Sequence, residues 1–283
     1  MKQYTYNKGG KNVKFRSEYV IVSILSIMMV VFTVSVLNAQ NESVLASAQE
    51  NNGMSNEKIE WGIKREKDHK QPDLGEKNKR YIDDAEGIAM GNSEIKNLYL
   101  TFDQGYEAGY TEKILEILKE NDVKAAFFIT AHYLNSQPEL VKKMIDEGHI
   151  VGNHTVNHYS MPSLNDEKLR KEIMDLHQAV YEKFNYDMKY IRPPKGEYSQ
   201  RTLAICNSLG YKTAMWSLAY DDWDEKHQKG VEYAKKKILD NIHPGAVILL
   251  HGNSVDNMNV LDYVIKEAKN QGYEFKSLDE FER

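Results

Sequence analysis

From residue 98 to the carboxyl terminus, short apolar runs of strand length alternate with segments of helical periodicity. Strands are predicted at 98–102, 125–129, 149–152, 188–191, 212–216, 246–250 and 275–278, and helices at 111–121, 138–146, 165–184, 200–208, 231–240 and 259–269. Gly148, Gly210 and Gly272 each follow a helix and precede a strand, where a left-handed C-cap belongs. Repeated strand–helix units predict an α/β fold with a parallel sheet, either closed as a barrel or open and doubly wound.

Polar residues follow five of the predicted strands: Asp103, His154, Arg192, Asp222 and His251. In both kinds of parallel sheet the active site lies at the carboxyl ends of the strands. We therefore expect these five side chains to meet on one face. Their spread over so many strands favours the closed barrel.

Two of these residues suggest a base and its support. Asp103 lies in Thr-Phe-Asp-Gln-Gly-Tyr-Glu, residues 101–107, where a strand-end carboxylate could act as a general base or simply cap the next helix. Arg192 opens Arg-Pro-Pro-Lys-Gly, residues 192–196. An arginine there can clamp a carboxylate with two hydrogen bonds, and the two prolines stiffen the loop that carries it.

The spacing of His154 and His158 is typical of a metal site, because two histidines four residues apart can reach one ion. Thr155 follows the first histidine, so this is not the H-E-x-x-H protease pattern. A chance pair of structural histidines is the alternative. The other histidines lack such a partner and are interpreted as structural or solvated: His69, His132, His149, His177, His227 and His243.

The last two strand-end residues suggest an acid. A carboxylate such as Asp222 raises the pKa of a histidine that it orients, which would suit His251 to act as a general acid. Trp223, beside Asp222, offers an aromatic wall on which a sugar face could stack. Each of these features is common in proteins when it occurs alone. Their shared position at strand ends is what indicates an active site.

The chain is expected to be exported. Residues 1–18 are basic, and residues 19–37 carry no charge and are long enough to span a bilayer. We predict a signal peptide or membrane anchor at 1–48, a linker and N-terminal arm at 49–96, and a catalytic domain at 97–283. The basic flank should stay cytoplasmic, which places the catalytic domain at the cell envelope, secreted or anchored through residues 19–37.

Composition excludes some classes of function. The net charge is −5, which gives no sign of a nucleic-acid binder. Cys206 is the single cysteine, so no intrachain disulfide is possible, and its apolar surroundings predict a buried side chain.

Together these segments resemble the NodB-type polysaccharide deacetylases, carbohydrate esterase family four, from about Trp61 onward. The likeness is strongest to the sporulation enzymes that de-N-acetylate muramic acid in peptidoglycan and lead to muramic δ-lactam in spore cortex. It rests on residues 101–107, Gly-Asn-His-Thr-Val-Asn-His at 152–158, residues 192–196 and Asp-Asp-Trp at 221–223. The fold implied is a distorted (β/α)7 barrel, and the activity implied is hydrolytic de-N-acetylation.

The resemblance also implies roles for individual residues. Asp103 would be the base that activates water, Arg192 would hold Asp103, and Asp222 would tune His251, the acid. His154 and His158 would bind a divalent metal, zinc or a similar ion. Five further residues are expected to contact substrate: Lys195, Trp223, Tyr106, Gln104 and Leu249.

One position departs from the family pattern. Most members have a second aspartate, the third metal ligand, where this chain has the neutral Gln104. We therefore expect weak metal binding. The implied partner is a peptidoglycan strand already processed by an N-acetylmuramoyl-L-alanine amidase. A deacetylase of N-acetylglucosamine polymers and a non-catalytic glycan-binding domain remain alternatives.

Overall fold

The computed structural model describes residues 3–8, 11–16 and 53–283. The chain divides into two compact units, Met1–Gly53 and Met54–Arg283. In the first, β1 (Gln3–Lys8) pairs antiparallel with β2 (Lys11–Arg16). The predicted apolar segment at 19–37 lies outside the described residues. Among the residues that are described, no helix is both long enough and apolar enough to cross a membrane.

The second unit alternates strands and helices. Its strands are β3 (Ile59–Glu60), β4 (Asn97–Gln104), β5 (Ala126–Ile129), β6 (Ile150–Asn153), β7 (Tyr190–Ile191), β8 (Glu197–Tyr198), β9 (Lys212–Thr213), β10 (Ala246–His251) and β11 (Glu274–Phe275). Its helices are α1 (Glu76–Asp84), α2 (Thr111–Glu120), α3 (Ala131–Ser136), α4 (Pro138–Asp146), α5 (Asp166–Phe184), α6 (Gln200–Ser208), α7 (Val231–Leu239) and α8 (Val255–Asn270). All the predicted elements are present, whereas β3, β8, α1 and α3 were not predicted. Helix α8 begins four residues earlier than expected because Ser254 caps it, accepting from the Asn257 amide.

The central sheet is parallel and curls on itself. Its strand order is β10-β4-β5-β6-β7-β9, and β11 pairs in parallel with the start of β4. Beyond β9, Leu218 forms a parallel bridge with Ile248 of β10, which brings the two ends of the sheet together. The fold is therefore α/β with a distorted, incompletely closed barrel, as the sequence predicts.

The two faces of the sheet have different neighbours. Leu98, Leu100 and Phe102 of β4 join the large core cluster that also contains the buried helix residues. Tyr99, between them, belongs to a second cluster with inward residues of other strands, including Phe128. Because side chains alternate along a strand, odd-numbered residues of β4 face the barrel interior and even-numbered ones face the helices.

An N-terminal arm, residues 54–96, packs against the barrel within the second unit. Its strand β3 pairs antiparallel with β8, with Ile59 opposite Tyr198. Trp61 follows β3 and packs beside Trp216, with ring centroids 6.3 Å apart. Cys206 lies in the large core cluster as expected, and burial raises the pKa of its thiol to about 12.

The predicted glycine caps are confirmed, since φ is 77° at Gly148, 83° at Gly210 and 83° at Gly272. Gly245 also has a positive φ of 73°, but its surroundings differ from those of Gly210. A Cβ on Gly245 would lie 2.5 Å from the Gly91 carbonyl carbon, whereas a Cβ on Gly210 would meet nothing within 4 Å. Alanine substitutions at Gly210 and Gly245 therefore separate the cost of a left-handed backbone from the cost of a steric clash.

We predict that Gly210→Ala costs about 1–2 kcal/mol of unfolding free energy, the price of a left-handed residue with a Cβ. Gly245→Ala should cost more by about 1–3 kcal/mol, because backbone atoms must move to make room. Urea unfolding of both variants measures the difference. Equal losses would show that the Gly91–Gly245 contact adapts without strain.

Candidate active site

A cavity of about 960 Å³ opens at the carboxyl ends of the strands. Asp103 at the end of β4, His154 after β6 and His251 at the end of β10 line it. Asp103 and His251 are register partners on adjacent strands. Neighbouring strands lie about 4.8 Å apart, so these two side chains enter the cavity side by side.

Arg192 holds Asp103 from beneath the cavity. Its Nη1 donates to Asp103 Oδ1 at 2.8 Å, and its Nη2 donates to the Thr101 hydroxyl at 2.9 Å. Its Nε donates to the Ala214 carbonyl at 2.9 Å, and its guanidinium lies 4.2 Å from the centre of the Phe128 ring. Burial alone would raise the pKa of Asp103, but the Arg192 guanidinium and other nearby positive charge hold it below its usual value. Asp103 is therefore a carboxylate at neutral pH.

His154 and His158 face each other, with their Nε2 atoms 3.1 Å apart. His154 Nδ1 donates to the Arg192 carbonyl at 2.9 Å, which leaves a lone pair on its Nε2. Burial lowers the pKa of His154, and burial lowers that of His158 to about 4. Both rings are thus neutral. Left-handed backbone at Thr155 (φ 66°) and His158 (φ 57°) turns the second ring towards the first.

This pair fits two ligands of a divalent cation, because imidazole binds metals through an unprotonated nitrogen and His158 can present one in its Nδ1–H tautomer. Asp103 Oδ2 lies 3.4 Å from His154 Nε2, while Oδ1 is engaged by Arg192. In the described part of the chain, no group of three or more His, Cys, Asp or Glu side chains is arranged to hold a metal. The described residues thus bring two imidazoles together at this point of the cavity.

His251 is oriented by a buried carboxylate. Its Nδ1 lies 2.7 Å from Asp222 Oδ1, and its backbone amide donates to Asp222 Oδ2 at 2.8 Å. Burial lowers the pKa of His251, but the Asp222 charge and hydrogen bond outweigh burial and raise it above its ordinary value. The free Nε2 is left for the cavity.

Asn257 on α8, which was not predicted as a site residue, completes this arrangement. Its Nδ2 donates to Asp222 Oδ2 at 2.5 Å and to the His251 carbonyl at 3.1 Å. Its Oδ1 accepts from the Tyr220 hydroxyl at 2.5 Å. Sequence patterns carry little signal for this residue, because they place the start of the helix only after it.

The rim of the cavity is aromatic. Tyr106 and Trp223 line it and are exposed, Trp223 to 62%. Asn253 links them, because its Nδ2 donates to the Tyr106 hydroxyl at 2.9 Å and to the Trp223 carbonyl at 3.1 Å. Leu249 also lines the cavity, as does His132, for which the sequence predicts a structural or solvated role. His132 lies on α3, a short helix after β5 that the sequence did not indicate.

Lys195 lines the cavity from a strained turn. Its φ and ψ are 61° and 7°, a left-handed conformation that costs a non-glycine residue about 1–2 kcal/mol. It is exposed and makes no hydrogen bond or ion pair with any residue that the structure describes. Among the described residues, this cationic side chain therefore has no competing anionic partner at the cavity.

The expected contact of Gln104 with substrate is corrected by the structure. Gln104 follows Asp103 on β4 and so faces the helices, where its Nε2 donates to the Thr111 hydroxyl at 3.0 Å. Its side chain is buried, does not line the cavity, and packs closely against Gly252. The alternation of side chains along the strand explains the error.

Comparison with known proteins gives the family of this chain. Residues 90–214 match the polysaccharide deacetylase family. The chain is 46% identical over 228 residues to an uncharacterized 30.6 kDa protein of Geobacillus stearothermophilus, covering 80% of this chain and 86% of that protein. The family match and 42% identity to a Bacillus subtilis deacetylase show that the chain belongs to the polysaccharide deacetylase family, a family of hydrolases.

Among individual members, the chain is 42% identical over 226 residues to the peptidoglycan-N-acetylmuramic acid deacetylase PdaA of Bacillus subtilis, covering 80% of this chain and 86% of PdaA. The solved structure of B. subtilis PdaA, a family 4 carbohydrate esterase, matches with a TM-score of 0.78 and 41% identity, over 80% of this chain and 97% of that one. Deacetylases of this family are generally metal-dependent.

We predict that Asn257→Leu moves the alkaline limb of the kcat/KM pH profile to lower pH by about one unit. Asp222 keeps His251 protonated at higher pH, and looser orientation of Asp222 would let the pKa of His251 fall towards its ordinary value. Activity that needs protonated His251 would then be lost at lower pH. Asp222→Asn should move the limb further the same way, and the exposed Asn207→Leu should not move it. An unmoved limb in Asn257→Leu would contradict the assigned role.

Proposed function

We propose that this protein is a peptidoglycan deacetylase that hydrolyses the acetamide of N-acetylmuramic acid residues, releasing acetate and a free amine. The observation that carries the proposal is the side-by-side placement of a carboxylate with a lowered pKa, Asp103, and a histidine with a raised pKa, His251, at one cavity. Groups whose surroundings push their pKa values in opposite directions suit the base and the acid of one reaction. Identity of 42% to B. subtilis PdaA supports the substrate.

In the proposed reaction Asp103 takes a proton from a water molecule, and the water oxygen attacks the acetamide carbonyl carbon. Arg192 keeps Asp103 ionised and fixes the direction of its free oxygen. The base is thus charged and oriented before substrate arrives, which saves the cost of arranging it during the reaction.

The C–N bond then breaks, and the nitrogen must gain a proton to leave as an amine. His251 supplies this proton from Nε2, while Asp222 stabilises the imidazolium through Nδ1. The electron pair of the broken bond stays on nitrogen, and the acetyl carbon leaves with the water oxygen as acetate. Overall one water molecule is consumed for each acetyl group removed.

A divalent metal, zinc or a similar ion, would be held by His154 and His158. When bound, it would polarise the acetamide carbonyl and lower the pKa of water, the chemistry that metal ions supply in hydrolases. Because the two imidazoles are neutral and no third His, Cys, Asp or Glu ligand is arranged beside them in the described residues, we expect the ion to be held weakly and activity to respond to added metal.

Substrate choice would depend on one cation and two aromatic side chains. N-acetylmuramic acid carries a lactyl carboxylate at C3, which is free once the stem peptide has been removed. Lys195 could pair with this carboxylate, since its ammonium lacks a partner among the described residues. Tyr106 and Trp223 offer ring faces for sugar stacking at the rim.

The reaction fits a sequence of steps in the cell envelope. An N-acetylmuramoyl-L-alanine amidase would act first and expose the lactyl carboxylate. Deacetylation would then free the C2 amine, and the amine and carboxylate could close to muramic δ-lactam, as in spore cortex. Because peptidoglycan lies outside the cytoplasmic membrane, the catalytic domain would have to be exported, secreted or anchored through residues 19–37.

We predict that Asp103→Asn and His251→Ala each lower the deacetylation rate by roughly two to four orders of magnitude, since each removes one proton-transfer group. Mass spectrometry of defined glycans detects the loss of each acetyl group. The control is Asp175→Asn, which removes a carboxylate on the surface of α5 and should keep wild-type rates.

The same assay separates the candidate functions. Activity on peptide-free muramic glycan supports the proposal, and activity restricted to chitin oligomers points to an N-acetylglucosamine deacetylase. A wild-type protein that binds glycan but removes no acetyl group, even with added zinc, would be a binding domain. Near wild-type turnover in either variant would rule out the assigned chemistry.

We predict that Lys195→Asn raises KM for peptide-free muramic glycan about ten-fold or more and leaves chitin oligomers within about two-fold, because a charge-assisted hydrogen bond is lost. Asparagine tolerates the left-handed backbone, so the change removes the charge with little strain. Lys195→Arg keeps the charge and should retain most of the preference. Equal effects of Lys195→Asn on KM for both substrates would show that Lys195 does not bind the lactyl carboxylate.

A further inference from the structure

The N-terminal arm reaches the turn that carries Lys195. The Trp61 amide donates to the Gly196 carbonyl at 2.9 Å, and this bond continues the antiparallel pairing of β3 with β8. Trp61 lies before residue 90, where the match to the polysaccharide deacetylase family begins. A segment outside the matched part of the domain therefore contacts a loop of the active site.

The turn itself is unusual for its sequence. The Gly196 amide donates to the Pro193 carbonyl at 3.1 Å, so Lys195 occupies the third position of a four-residue turn. Its φ of 61° and ψ of 7° lie in the left-handed region, which glycine and asparagine adopt far more readily than lysine. A lysine in this conformation persists only when the surrounding structure imposes it.

Two tryptophans enclose the residue that follows Lys195. A Cβ on Gly196 would lie 3.1 Å from Trp61 Cβ and 2.8 Å from the ring of Trp216, so the glycine is enclosed between them. The indole Nε1 of Trp61 donates to the Trp216 carbonyl at 2.9 Å, which fixes the two tryptophans relative to each other. The turn is thus clamped immediately after Lys195.

The arm also pairs with the charged residue that lies nearest to Lys195 in the sequence. Glu197 lies two residues after Lys195, and Lys58 of the arm pairs with it at 3.2 Å. An acidic side chain that could compete for the Lys195 ammonium therefore already has a cationic partner.

We propose that the arm, through Trp61, is a positioning element that holds Lys195 in its left-handed turn and thereby sets the preference for carboxylate-bearing sugars. The proposal rests on the proposed function, in which Lys195 meets the lactyl carboxylate. Trp61 itself does not line the cavity, so its effect must pass through the turn.

Trp61→Phe tests this, since it keeps an aromatic ring but removes the indole donor to Trp216. We expect KM for peptide-free muramic glycan to rise about five-fold, with kcat and the kinetics on chitin oligomers within about two-fold. In a Lys195→Asn background the same change should have no further effect, because the group that it positions is gone. Gln71→Ala removes arm hydrogen bonds to Gly91 and Pro244, away from the turn, and should leave both substrates unchanged.

The outcomes separate the two proposals. If Lys195→Asn leaves the substrate preference intact, the carboxylate reading of the proposed function fails. If Lys195→Asn abolishes the preference but Trp61→Phe leaves KM unchanged, the arm has no positioning role. Equal losses on both substrates, persisting in the Lys195→Asn background, would mean that Trp61 serves stability alone.

Discussion

The site depends on one buried ion pair, Arg192 with Asp103. Arg192 is fully buried, so its charge is tolerated only because a carboxylate, a hydroxyl and backbone carbonyls accept its hydrogen bonds. Removing one partner of such a pair typically costs about 3–5 kcal/mol. The pair joins the end of β4 to the loop after β7 and keeps Asp103 ionised. The backbone carbonyl of Arg192 also orients His154. Arg192 therefore positions both the Asp103 carboxylate and the His154–His158 pair.

In each half of the cavity a titratable residue is paired with a buried group of opposite charge, and the two pKa values shift in opposite directions. Asp103 meets a fixed cation, and its pKa falls, whereas His251 meets a fixed anion, and its pKa rises. In each half the residue at the cavity is supported by a more deeply buried partner. The supports are themselves held by backbone and amide groups, such as Asn257 behind Asp222. Because of this preorganisation, few groups need to move when substrate binds.

The sequence predicted what periodicity and strand ends can reveal. The order of elements and the position of Asp103, His154, Arg192, Asp222 and His251 at strand ends both follow from patterns along the chain. The arm was only partly foreseen, because α1 has a single fully buried residue, Ile82, and so lacks an apolar stripe. The environments of Asn257, Gln104 and Lys195 depend on tertiary contacts and on backbone angles that local sequence does not specify. The roles assigned to the site residues remain predictions for the experiments above.

The pairing of β4 with β10 has a consequence for how this domain can vary. Asp103 and His251 share the interior face only because they are aligned in register, and side chains alternate with a period of two. Deleting one residue from β4 ahead of Asp103 would turn the carboxylate towards the helices and bring Gln104 to the cavity. Length changes should therefore be confined to the loops and the arm, while these two strands keep a fixed residue count. In this protein the pairing of β4 with β10 therefore decides which side chains reach the cavity.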